Sequence, residues 1–181
     1  MTPTTPLSPD RATLKVHKER AVADEAPAIL AAGIVAHVGI ADTEGPVVIP
    51  MTYHFDPGTP NELHLHGAHH SRLMDAVGSG ELVCVTVTMA DGLVFSKSGF
   101  NHSVNYRSVV CFCRAAEAQP TPDRQRQLLV GMIGRYSVTS FVTLTIEAMS
   151  AKQRTGGANG PGDNDPAVPG TAGVVELRPG Q

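Results

Sequence analysis

Between residues 82 and 89 the chain alternates strictly, with Val83, Val85 and Val87 on one parity and Cys84, Thr86 and Thr88 on the other. A period of two turns branched apolar side chains to one face of a pleated ribbon and small, weakly polar ones to the other. That pattern suits a half-buried strand and no helix. Residues 34–41, 46–55, 62–66, 93–97, 108–116 and 141–150 read as strands on similar grounds. Turn formers divide them: Asp42-Thr43-Glu44-Gly45, Asp56-Pro57-Gly58-Thr59-Pro60 and Ala90-Asp91-Gly92, the last read as a hairpin turn. So many strands in one short chain need a way to hide their edges, and closure into a barrel does so. The predicted class is mostly β, an antiparallel barrel with short flanking helices.

Three helices are expected. Asp24 or a neighbour caps the first, which carries Ala28, Ile29, Leu30 and Ala31 and stops at Gly33. Ser71 stands before the second, where Leu73, Met74 and Val77 mark one face and Gly78 and Gly80 supply the stop. Pro122 and Asp123 open the third, running through Leu128, Leu129 and Met132. The organisation is read as a disordered tail (1–10, rich in Pro and Thr), a barrel domain (11–155) and a loop-rich segment (156–181).

Size and composition narrow the function. With 181 residues, 41% hydrophobic, the chain can build one domain with a real core. Its apolar runs are too short to span a bilayer and no signal peptide is recognisable, so a cytoplasmic location is expected. A net charge of -3 argues against nucleic acid as a partner. Cys84, Cys111 and Cys113 are an odd set and read as reduced, buried thiols.

Three polar stretches hold the candidate chemistry. In His64-Leu65-His66-Gly67-Ala68-His69-His70-Ser71-Arg72 a strand ends, Gly67 turns the chain, and a capped helix start brings a hydroxyl and a guanidinium together, a combination fit for phosphate. The bland reading is an ordinary cap followed by an exposed arginine. The histidines of this stretch lack a carboxylate or thiolate at ligand spacing, so no metal is expected. Residues 98–108 crowd His102, Asn105, Tyr106 and Arg107 into what reads as a loop, a natural place for ligand contacts or for a solvated connection. Lys152 and Arg154, two apart at the end of the last strand, share a face where they meet an anion or merely keep an edge soluble.

Taken together, residues 34–39, 48–53, 65–67 with 71–74, 83–94, 102–109 and 150–156 resemble the pyridoxamine 5'-phosphate oxidase-like family, in particular its flavin-nucleotide-binding, nitroimidazole-resistance-type branch. The likeness spans roughly residues 11–160. It implies a six-stranded split barrel that forms a homodimer with two FMN sites at the subunit interface. On that likeness Pro50, Met51, Thr52 and Tyr53 run along the isoalloxazine edge, and His66 and Gly67 meet the ribityl phosphate. Ser71 and Arg72 fall on the family's phosphate-binding serine and arginine. Asn105 and Arg107 approach the partner subunit's flavin, and Lys152 and Arg154 reach it from the last strand.

An FMN-dependent oxidoreductase acting on a small molecule is the implied activity, with NAD(P)H as candidate electron donor and His102 and Tyr106 as candidate proton donors. The alternatives are a non-catalytic module for flavin, haem or deazaflavin, a colourless metal-binding dimer, and a pyridoxamine 5'-phosphate oxidase proper. Departures weigh against the last. Leu73 stands where the oxidases carry a second basic residue, Asn101 replaces a histidine beside His102, and no pyridoxal-phosphate grip is recognisable.

Overall fold

The computed structural model describes residues 6–68, 70–116, 119–132 and 140–177. The alternating segments form β1 (Val35–Asp42), β2 (Gly45–His54), β3 (Glu62–Gly67), β4 (Val83–Phe95), β5 (Ser103–Ala115) and β6 (Ser140–Arg154). All pair antiparallel in the order β1-β2-β3-β6-β5-β4, and a β1–β4 pairing closes the ring. The expected six-stranded split barrel is what the chain builds. A seventh strand, β7 (Gly173–Glu176), joins β4 where β4 runs on past the start of β1.

Parity decides what the barrel encloses. Ala36, Val38 and Ile40, Leu63 and Leu65, Val83, Val85 and Val87, and Val109, Cys111 and Cys113 are all buried inside. The helices α1 (Ala26–Ala32) and α2 (Arg72–Gly78) add Ile29 and Leu30, and Leu73 and Val77, to the same core. The third helix, α3 (Pro122–Met132), packs against β2. The three cysteines are free; Cys111 and Cys113 are buried as expected, whereas Cys84 is half-buried on the outer face of β4.

Register gives the barrel a steep stagger. His66, bonded to Thr52, lies opposite Phe141 on β6. The other way round, Thr52 pairs with Val35. Continuing the His37–Thr86 register brings Val35 level with Thr88, which leads through Ser108 to Lys152. The level of Thr52 therefore meets β6 twice, at Phe141 and at Lys152, eleven residues apart. That is about 36 Å of strand, the mark of strongly tilted strands.

Two expectations are corrected. Ala90-Asp91-Gly92 is not a hairpin turn: β4 runs straight through it, with a register shift between Ala90 and Gly92. Glycine is needed there for space, because a Cβ on Gly92 would lie 3.0 Å from Val174 Cγ1 and 3.2 Å from the Val175 carbonyl oxygen. Second, the polar stretch after residue 98 is a loop only as far as His102. Ser103 to Asn105 already pair with Val94 to Gly92. The loop-rich C-terminal segment also contributes β7 and a clasp. Asp163 Oδ1 accepts from the Ser96 hydroxyl (2.8 Å) and the Lys97 N–H (2.7 Å), while Oδ2 accepts from the Gly160 N–H (2.6 Å). Lys97 Nζ donates in turn to the carbonyls of Asp165 and Val168.

Candidate functional site

The strand alternation divides the twelve expected site residues. On β2, Pro50 and Thr52 face outward, while Met51 and Tyr53 turn toward the core. Tyr53 is buried and its hydroxyl donates to the Leu30 carbonyl, tying β2 to α1. Burial and the neighbouring Cys111 push this phenol's pKa upward. On β5, Asn105 and Arg107 share the inward parity of Val109 and Cys111, whereas Tyr106 and Ser108 face out.

Two outward groups result. In the first, Thr52 Oγ1 and His66 Nε2 are 2.9 Å apart across β2 and β3. Gly67 follows, where an added Cβ would lie 3.1 Å from Met51 Cε and 3.3 Å from Met74 Cγ. Ser71 caps α2, its Oγ accepting from the Met74 N–H at 3.3 Å, which leaves its own O–H free to donate elsewhere. Arg72 is half-exposed and engaged with the β1–β2 turn: Nε lies 3.3 Å from Asp42 Oδ2 and Nη2 3.3 Å from Glu44 Oε2. The sequence reading missed those two acids, which it took for turn formers only. His69 lies outside the described residues.

The second group stands at the far end of β6. Lys152 Nζ sits 5.9 Å from the centre of the Tyr106 ring, a cation held over an aromatic face. Arg154 donates to Asn105 Oδ1, and Asn105 Nδ2 donates to the Gly156 carbonyl at 3.0 Å. Arg154 also lines a polar cleft of about 410 Å³ with Arg20 and Glu19. Arg107 is not part of this group. Its side chain forks onto Asp91, with Nε 3.2 Å and 3.0 Å from the two carboxylate oxygens and Nη2 2.7 Å from Oδ1. Those hydrogen bonds hold its pKa above the usual arginine value.

His102 accepts the Ser96 N–H on Nδ1 at 3.0 Å, so the neutral ring carries its proton on Nε2. His64 is different. It is buried, with Nδ1 3.0 Å from Thr143 Oγ1, Nε2 4.0 Å from Glu62 Oε2 and without a hydrogen-bond partner among the described residues, and its ring stacked between those of His54 and Phe141. Burial, with His54 and Arg124 nearby, lowers its pKa to about 4. Among the described residues no group of three or more His, Cys, Asp or Glu gathers to hold a metal, and no helix is long and apolar enough to cross a membrane.

Between the two outward groups lies a stretch of surface nearly bare of charge. Val48, Gly39, Cys84, Phe112 and Ala148 form one cross-strand row, and Pro50, His37, Thr86, Val110 and Ser150 the next. Val48 is 63% exposed and Val35 43% exposed. One charge reaches these rows from outside the sheet: Arg11 of the N-terminal segment lies over the Phe112 ring at 4.7 Å.

Comparison with known proteins agrees with this architecture. Solved structures that resemble the chain include a flavocytochrome from Azotobacter vinelandii, with a TM-score of 0.77 and 26% identity over 95% of this chain and 86% of that one. An FAD- and haem-binding protein from Mycobacterium smegmatis gives a TM-score of 0.69 and 24% identity, covering 87% and 84%. An FAD-binding protein from Mesorhizobium loti gives 0.54 and 18%, covering 74% and 95%. No curated protein matches the chain significantly. The family model described as pyridoxamine 5'-phosphate oxidase matches residues 23–153, a span that holds all six strands of the ring except the last residue of β6. With the closed barrel and the polar groups at its rims, that match assigns the chain to the pyridoxamine 5'-phosphate oxidase family.

Proposed function

We propose that the protein binds a flavin nucleotide, FMN, between two copies of the chain and works as an oxidoreductase on a small molecule, with NAD(P)H as electron donor. The cytoplasm suits it, since its three free thiols stay reduced there. When bound, the flavin supplies the hydride and electron chemistry, and the protein supplies grip, orientation and hydrogen bonds.

The observation that carries the reading is where the two outward groups stand. The row from Thr52 to Lys152 crosses four inter-strand spacings, about 19 Å of curved sheet, so its ends stand well apart. A second copy related by a two-fold axis sets the Thr52–His66 end of one chain against the Tyr106–Lys152–Arg154 end of the other, and does so twice. The nearly uncharged rows between them are what the copies press together. Charged residues are depleted at the centre of protein interfaces, and this surface matches that composition.

The residues fit a phosphorylated ligand at the first group. Thr52 and His66 offer side-chain hydrogen-bonding groups beside Gly67, and the Ser71 hydroxyl can donate. Arg72 supplies the cation. Its bonds to Asp42 and Glu44 are exposed, and such pairs are worth roughly 0–1 kcal/mol, so a phosphate can draw the guanidinium away. Arg72→Ala is expected to weaken FMN binding by about 1.5–3 kcal/mol, read by quenching of flavin fluorescence. An unchanged affinity removes Arg72 from the site.

Haem is a second reading with an observation of its own. His70 and Met74, both haem-ligand types, line a cleft of about 420 Å³ walled by Ala115, Ala116, Phe141 and Val142. The visible spectrum of the purified protein separates the cases, by flavin bands or a Soret band. A Soret band abolished by His70→Ala would establish haem at this cleft.

A further inference from the structure

The geometry points to a second ligand site, in the mouth of the barrel, for a small neutral molecule that is largely apolar and carries one hydrogen-bond-accepting oxygen, such as a ketone carbonyl. A cleft of about 360 Å³ opens there, where β1 begins and β4 passes it. This is the lower part of the size range of small-molecule sites. Ile34, Met89, Ala90 and Leu177 form its walls, and Asp91 and Arg107 supply its polar groups.

Parity separates this cleft from the proposed flavin site. Met89 and Arg107 are cross-strand partners with the inward parity of Val87 and Val109, opposite to that of Thr88, Ser108 and Lys152. The rim is apolar and open, with Ile34 75% exposed and Leu177 39% exposed. Such side chains around a concavity gain by covering an apolar ligand.

The Arg107–Asp91 fork selects the ligand's charge. A guanidinium has five N–H donors. The fork uses the Nε–H and one of those on Nη2, and the remaining three have no protein partner among the described residues. The positive charge is already answered by Asp91, whose Oδ1 is 2.7 Å from Nη2. An anion would meet that carboxylate and a cation would meet the guanidinium. A neutral acceptor oxygen takes a charge-assisted hydrogen bond and meets neither repulsion.

Three probes of one size test this: acetophenone, ethylbenzene and benzoate. They are titrated into the full chain labelled for NMR on backbone amides and methionine methyls. Acetophenone is expected to shift the Met89 methyl and the amides of residues 32–34 and 89–91. Its affinity should be about ten-fold above that of ethylbenzene, the worth of one net hydrogen bond. Benzoate should leave these signals still. In Asp91→Asn the arginine loses its counter-charge, and benzoate should become the preferred probe. The assignment is overturned if acetophenone moves no mouth signal, if ethylbenzene binds equally well, if the shifts fall instead at Thr52, His66 and Lys152, or if Asp91→Asn leaves the order unchanged. Flavin content is read separately by absorbance, so failure here leaves that reading standing.

Discussion

Arg72 shows how a single residue can be held ready without being committed. Its two carboxylate partners sit on the β1–β2 turn and compete with any phosphate for the guanidinium. Removing that competition in the double variant Asp42→Asn/Glu44→Gln is expected to tighten FMN binding several-fold, by fluorescence titration at low salt, where charge effects are least screened. Weaker binding would mean that the acids orient the arginine and do not restrain it. His64 gives a prediction about acid. Its pKa falls from 6.5 in the unfolded chain to about 4 in the fold. Between those values the unfolded chain binds more protons, so stability is full above the unfolded value and declines as pH drops toward the folded one. The loss from this residue is at most about 3 kcal/mol. Urea denaturation at about pH 7 and about pH 4.5 should show a smaller acid loss for His64→Phe than for the natural chain. An equal loss would place the acid sensitivity elsewhere.

At the scale of elements, the C-terminal segment behaves as a clasp on the β4–β5 loop. Three donors converge on Asp163, and a Cβ on Gly160 would run into the Ser96 hydroxyl. Asp163→Asn and Gly160→Ala should each raise hydrogen exchange at the Lys97 amide and speed proteolysis within residues 156–170, with the barrel strands unchanged. Unaltered protection at Lys97 would show that the clasp is redundant. The sequence made the strands legible because their alternation is a local signal. It also pointed to Ser71 as a cap, since capping involves neighbours a few residues away. It misread Asp91-Gly92 because the two residues are typical of hairpin turns, while the cause of this glycine, the approach of β7, lies some eighty residues further on. Asp163 was illegible for the same reason, its partners being 66 and 67 residues distant. The inward aim of Arg107 follows from parity, but only once β5 is known to begin at Ser103.

At the scale of the molecule, the separation of the two polar groups on the barrel surface is what supports the proposed second copy. The stagger of eleven residues along β6 fixes that distance in the backbone, so no side-chain adjustment removes it. The most direct measurement is sedimentation velocity of the purified, flavin-loaded protein, followed at once by protein absorbance and by the visible flavin band. A flavin site shared between two copies predicts that both signals move together at the rate of a dimer, with two flavins in each. Flavin travelling with a monomer, or a dimer that carries none, would contradict it.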